Sequence, residues 1–205
     1  FVADIAEPKD REAELLRLRS QHYQELSQLA LKGFFDQSAA PTAEIGQLRI
    51  AGINVNIATH GNLPWTKFSV RENGGLARYF NDTNIFTKDD ASCKGKNEGD
   101  FFYQKLLDQM GLPETPERGK NCAMVEDTTK NLIEAKKLGM MTILISDSVT
   151  NDTKPDYVDV VVSDVKQAIQ AIAQSNVYLE RKASLSVDAA PTTNHNNKGP
   201  DNAHI

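Results

Sequence analysis

The sequence predicts an α/β protein built on a parallel sheet with helices on both faces. Three observations carry that prediction. Apolar runs such as Met141-Thr142-Ile143-Leu144-Ile145 and Val158 to Val162 are nearly continuous, as strands buried on both faces are. The back half runs strand, helix, strand, strand, helix, an order that suits parallel pairing. The run that ends at Val125 is followed at once by two carboxylates, Glu126 and Asp127. They fall at a strand's C-terminal tip, where open α/β sheets keep their ligand sites.

Taken in order, Phe1-Val2-Ala3-Asp4-Ile5 reads as a short buried strand ending in an acid. Lys9 to Lys32 reads as a long amphipathic helix, with Leu15, Leu18, His22, Leu26 and Leu29 at helical spacing and Gly33 as its stop. Gln37 to Glu44, with Ser, Ala, Pro and Thr, reads as a loop. Ile53 to Thr59 alternates apolar and polar residues and is placed in the sheet. Leu63 to Gly74 is predicted helical, since Pro64 is tolerated in a first turn. Ile85-Phe86-Thr87 is a weak strand, and Gly99 to Met110 a helix with Phe102, Leu106 and Met110 on one face and Gly111 as the stop. Cys122 to Val125 is the strand that delivers the acidic pair. Thr128 to Leu138 is helical and stops at Gly139. Ser163 is the expected N-cap of a helix over Asp164 to Ala173. After Asn176 the pattern fades, and Asp188 to His204, rich in Asn, Pro, Thr, Ala and Gly, is predicted disordered.

With 205 residues there is room for one α/β domain and a small insertion or tail. Hydrophobic content of 40% and charged content of 25% are ordinary for a globular protein. The net charge is -5 and no basic block appears, which argues against nucleic acid as a partner. No apolar run is long enough to span a bilayer, so no membrane association is expected. No secretory leader is read, and opening on Phe1 rather than Met leaves the true start open. The two cysteines, Cys93 and Cys122, fit reduced thiols in a cytoplasmic protein, with a single disulfide the alternative. The oligomeric state is not legible.

Asp4 and Asp127 both stand at strand ends. If those strands are neighbours, two carboxylates converge on one cleft, which suits Mg²⁺, a hard cation that prefers oxygen ligands. Alternatively, each acid caps the helix that follows. Taken together, at two strand ends of one sheet, the acids favour the metal site. Thr59-His60-Gly61-Asn62 follows another strand, where a hydroxyl and main-chain N–H groups can hold an anion. Lys94 and Lys96 lie in a Gly-containing loop, Ser92 to Gly99, from which either lysine could neutralise a phosphate.

These four elements in this order resemble the haloacid dehalogenase (HAD) superfamily of phosphohydrolases. The resemblance rests on Phe1 to Ala6, on Ile57-Ala58-Thr59-His60, and on Lys94-Gly95-Lys96 ahead of Phe101-Phe102-Tyr103-Gln104. The most specific segment is Val125-Glu126-Asp127-Thr128-Thr129-Lys130-Asn131-Leu132 with Ala135-Lys136-Lys137-Leu138-Gly139-Met140, similar to the family's E-D-S-x-x-N-L-x-x-A-K-x-L-G-M pattern. The nearest likeness is to pyrimidine 5'-nucleotidase-like members, through Arg19 to Tyr23 and Leu29 to Gly33. It implies a three-layer, Rossmann-like core over residues 1–6 and 49–177. It further implies a short helical cap insertion over 7–48, with 178–205 left as a disordered tail.

The resemblance implies Asp4 as a nucleophile that forms an aspartyl-phosphate. Mg²⁺ would be held by Asp4, the main-chain carbonyl of Ala6, and Asp127. Thr59 and Lys96 would act on the phosphoryl oxygens, with Lys94 as the alternative, and His60 and Gly61 would help bind the substrate. That substrate would be a small phosphorylated metabolite, such as a nucleoside monophosphate. Glu126 would orient its neighbours. The first motif departs from the family's D-x-D-x-T: Ala6 stands where the general acid/base belongs and Pro8 where the Thr belongs. Such proton transfer is worth about 10²–10⁴-fold in rate, so impaired activity is expected. A catalytically weak or inactive protein that binds Mg²⁺ or a phosphorylated ligand is the second reading. A response-regulator-like phosphoacceptor is disfavoured, because the helical insertion and the E-D-T-T-K-N segment do not suit it.

Overall fold

The computed structural model describes residues 40–72, 75–92 and 94–175, together with Glu14, Leu15, Arg17, Leu18, Gln21 and Leu179. The expected first strand with Asp4 and Ala6, most of the helix expected over Lys9 to Lys32, and the expected disordered tail lie outside those residues. Glu14, Leu15, Arg17, Leu18 and Gln21 are helical, and Arg17 pairs with Glu14 one turn away at 2.6 Å.

Among the described residues the strands form two parallel ladders. In one, β1 (Ile57–Thr59) pairs with β2 (Ile85–Thr87), Thr59 opposite Thr87. In the other, β3 (Ala123–Glu126) pairs with β4 (Met141–Ile145), and β4 with β5 (Val160–Val162). Parallel strands need crossover connections. Helices supply most of them: α1 (Thr42–Ile50) precedes β1, α2 (Leu63–Glu72) follows it, and α3 (Phe101–Gln109) lies between β2 and β3. A 3₁₀ turn, Thr129–Asn131, leads into α4 (Leu132–Lys137), and α5 (Val165–Ala173) follows β5. Between β4 and β5 the connection is a loop. Its Asn151 side chain accepts the Val161 N–H at 2.9 Å and donates to the Val161 carbonyl at 3.1 Å. The amide thus covers a stretch of strand edge that would otherwise present unpaired groups.

Two buried clusters make this a three-layer structure. Phe102, Leu106 and Leu107 of α3 and Leu132 and Ala135 of α4 pack with Phe86, Met124, Leu144 and Val161 of the strands. Ile45 and Leu48 of α1, Val70 of α2 and Ile169 of α5 pack with Ile85, and the partly buried Ile57 joins them. Neighbouring residues of β2, Ile85 and Phe86, enter opposite clusters, as the two-residue period of a strand requires. The β1–β2 ladder therefore feeds a cluster on each of its faces.

Of the three predicted glycine stops, Gly33 lies outside the described residues, and Gly111 and Gly139 end their helices. Gly111 has φ +71°, and the Leu112 N–H returns to the Leu107 carbonyl at 3.1 Å. Gly139 has φ +83°, with the Met140 N–H on the Ala135 carbonyl at 3.1 Å. Left-handed backbone at such a position is inexpensive only for glycine.

Three local expectations change. The segment read as a loop over 37–44 becomes helix at Thr42, because Ile45 and Leu48 bury one side of α1 against the core containing α5's Ile169. β1 pairs over Ile57–Thr59 alone, shorter than the alternation over 53–59 suggested. The cap of α5 is Asp164, whose carboxylate accepts the Gln167 N–H at 2.8 Å. Ser163 instead accepts from the Gln167 side chain at 2.7 Å. Among the described residues no helix is long and apolar enough to cross a membrane.

Candidate active site

The C-terminal ends of β1 and β3 meet around Lys96. Beyond β1, the Thr59 hydroxyl oxygen accepts the Gly61 N–H at 3.0 Å. Accepting with its oxygen leaves the hydroxyl hydrogen to donate elsewhere. The same turn closes the start of α2. Asn62 accepts the Trp65 N–H on its side chain at 2.9 Å, and its carbonyl takes the Thr66 N–H at 3.0 Å. Pro64 has no N–H at all. The main-chain donors expected to serve an anion at this junction are thus partly consumed: Gly61 by Thr59, and Trp65 by the cap.

Lys96 is 4% exposed and is tethered twice. Its main-chain N–H donates to Nε2 of His60 at 2.9 Å. Its ammonium pairs with Oε2 of Glu126 at 2.5 Å, the two side chains being 6% and 9% exposed. The ammonium also lies 5.8 Å from the centroid of Phe102, a wholly buried ring. Lys94, by contrast, is exposed. The structure thus brings Lys96, and not Lys94, into the cluster with His60 and Glu126.

Glu126 is the hub of the buried side. While Oε2 holds Lys96, Oε1 accepts from the Asn131 side chain at 3.0 Å. A buried carboxylate demands such partners, since an unpaired one costs several kcal/mol, about 3–5 when its cation is removed. Asn131 in turn has its carbonyl bonded by the Tyr103 hydroxyl. Desolvation, then the Glu126 and Glu134 charges, push the Tyr103 phenol far above its ordinary range, so it stays a donor. His60 shifts the other way. Burial first, and then the Lys96 charge, lower its pKa below the usual imidazole value.

Asp127 stands one residue past β3, exposed, with the Thr128 hydroxyl on Oδ1 at 3.3 Å. An exposed carboxylate at this strand end has the oxygen chemistry that Mg²⁺ takes. Among the described residues, however, no three His, Cys, Asp or Glu side chains converge where an ion could sit. Asp4 and Ala6, the other assigned ligands, lie outside those residues, so the described part of the site fits the ion through Asp127 alone.

Sequence reasoning assigned no role to Asn131, Tyr103 or Phe102. The available signal was spacing. Asn131 falls on the first turn after β3, where its side chain can fold back on Glu126. Phe102 and Tyr103 open α3 just after the lysine loop.

The sequence matches no protein-family pattern, and no curated protein matches it. Among solved structures the chain is similar to a HAD hydrolase, family IA, variant 3, from Entamoeba histolytica HM-1:IMSS. The TM-score is 0.58 at 15% identity, covering 86% of this chain and 73% of that one. At that identity the likeness is one of fold, and it agrees with the three layers and parallel ladders described above: this chain folds as that HAD hydrolase does.

Proposed function

We propose that the chain is a cytoplasmic, Mg²⁺-dependent phosphomonoester hydrolase of the haloacid dehalogenase type, of the pyrimidine 5'-nucleotidase-like kind. Its substrate would be a small phosphorylated metabolite such as a nucleoside monophosphate, and Ala6 would weaken its turnover. The observation that supports this best is the buried Lys96–Glu126 pair, whose carboxylate ends β3 one residue before Asp127.

Each residue has a task in that reading. An ammonium has three donors. One of Lys96's is spent on Glu126, which leaves two for phosphoryl oxygens. Thr59 offers its hydroxyl hydrogen to another. Glu126 and Asn131 hold the ammonium at a fixed point, so that little reorganisation is needed when charge builds on the phosphoryl group. Asp4 attacks phosphorus, the ester oxygen leaves, and water then frees phosphate and regenerates the carboxylate. Asp4, the Ala6 carbonyl and Asp127 would hold Mg²⁺, which when bound offsets negative charge at the reacting centre. The leaving oxygen needs a proton, and Ala6 has none to give. That absence also favours the second reading, a domain that binds Mg²⁺ or a phosphorylated ligand with little or no turnover.

The test is Mg²⁺-dependent phosphate release from p-nitrophenyl phosphate and a panel of nucleoside monophosphates, with Ala6→Asp and Asp4→Asn beside the parent chain. The expected results are weak parent activity, a gain of about 10²–10⁴-fold with Ala6→Asp, and none with Asp4→Asn. Activity that survives Asp4→Asn removes the nucleophile assignment. Mg²⁺ binding with no gain from Ala6→Asp supports the second reading, and neither binding nor gain defeats both.

A further inference from the structure

The bond between the Lys96 N–H and His60 Nε2, 2.9 Å long, has a direction set by chemistry. A main-chain amide only donates. A ring nitrogen accepts only through a lone pair, which imidazolium lacks at both positions. Whenever this bond is made, the ring is neutral and carries its proton on Nδ1. Other main-chain bonds of the loop are local, with Lys94 N on the Ala91 carbonyl at 3.0 Å and Glu98 N on the Gly95 carbonyl at 3.1 Å. His60 therefore ties the main chain of the lysine loop to β1, while Glu126 ties the Lys96 side chain to β3.

We propose that His60 is a positioning residue for Lys96: its neutral imidazole docks the lysine loop on β1, and protonation of the ring undocks it. The inference rests on the hydrolase reading only for its consequence in catalysis; the docking itself stands on the bond. The charged groups facing the ring are Lys96 and Glu98 of the loop, Glu126 at the end of β3, and Lys88 just past β2. Phe102 closes the apolar side, edge-on at 5.9 Å between centroids. A proton added here would meet the Lys96 ammonium as well as lose the acceptor. Burial and Lys96 hold the ring's pKa below the ordinary value of about 6.5. The sign follows: docking is fully favoured above about pH 6.5 and is lost as pH falls through the lower folded value.

The test follows the Lys96 amide and the His60 ring proton by nitrogen–proton and carbon–proton correlation spectra of the full chain, from about pH 8 to about pH 5. His60→Gln and His60→Phe are recorded beside it. In the parent chain the Lys96 amide should shift with the His60 midpoint. His60→Gln places an amide oxygen that accepts at every pH, so its Lys96 amide should stay protected and flat with pH. His60→Phe has no acceptor, and its Lys96 amide should exchange about two- to tenfold faster throughout, the size of one net hydrogen bond. A Lys96 amide that ignores His60 titration, or one as protected in His60→Phe as in the parent, overturns the proposal. If His60→Phe fails to fold, the parent and His60→Gln profiles decide alone. No turnover is needed, so a failed phosphatase assay and a failed docking test remain separate results.

Discussion

The Tyr103 hydroxyl bonds the main-chain carbonyl of Asn131, pinning α3 to the turn that follows β3. The Asn131 side chain reaches Glu126, and Glu126 holds Lys96. The ammonium's position is therefore set partly by a helix that contributes no charged group to the site.

Tyr103→Phe removes the hydroxyl and leaves the Asn131 carbonyl without this buried donor. The expected loss is about 1–3 kcal/mol of stability, read from the urea midpoint. Because the phenol is held protonated far above its ordinary range, the loss should be constant from about pH 5 to about pH 9. An unchanged midpoint would show that the bond contributes nothing.

Lys96 and Glu126 should behave as a unit. Lys96→Met leaves a buried carboxylate without its cation and should cost about 3–5 kcal/mol. Glu126→Gln strands the ammonium in the same way. The double variant should cost clearly less than the sum, because neither charge is then buried alone. Strict additivity in a urea-melt cycle would mean the pair is not coupled.

Asp159 ties α4 to the sheet. Its carboxylate accepts from Lys136 at 2.5 Å and from the Thr142 N–H at 2.9 Å. Burial pushes its pKa up, but Lys136 and the Thr142 bonds together outweigh burial and hold it below the usual range. A depressed carboxylate adds stability above its unfolded pKa of about 3.9 and loses it as pH falls through the folded value. Asp159→Asn should therefore unfold at lower urea than the parent at about pH 7, and the gap should close below about pH 4. A gap independent of pH would place the effect in packing rather than in charge.

Two glycines should respond for different reasons. A Cβ at Gly119 would overlap the Leu138 carbonyl, which is backbone and cannot swing aside. Gly119→Ala should cost at least about 1–3 kcal/mol. At Gly111 a Cβ meets nothing within 4 Å, but the backbone is left-handed at φ +71°, so Gly111→Ala should cost about 1–2 kcal/mol. Thermal melts that rank Gly111 above Gly119 would reverse this account.

Elements whose cause is local were legible in the sequence. The apolar runs that became β3 and β4, and the glycines that end α3 and α4, need only neighbouring residues to declare themselves. What escaped depends on distant partners. Thr42 opens a helix because Ile45 and Leu48 find a core that includes Ile169, far along the chain. Asp164 rather than Ser163 caps α5, a choice between adjacent residues equally suited by type. In the site, the family spacing points to Lys96 with Lys94 as the alternative, and the folded loop turns Lys96 inward to Glu126 while Lys94 stays in solvent. The resemblance implies His60 as a substrate contact; what it does not foretell is that Nε2 accepts the Lys96 main-chain N–H. No residue pattern predicts a bond between two groups so far apart in sequence.

The two tethers on Lys96 cross 36 residues to His60 and 30 residues to Glu126. Contacts of such separation repay the entropy of loop closure only after much of the chain has ordered. The ammonium cannot be in place until both ladders exist, so the doubly tethered Lys96 is a late product of folding. Chains caught part-way, with helices formed but ladders unjoined, would carry every residue of the site and none of its geometry.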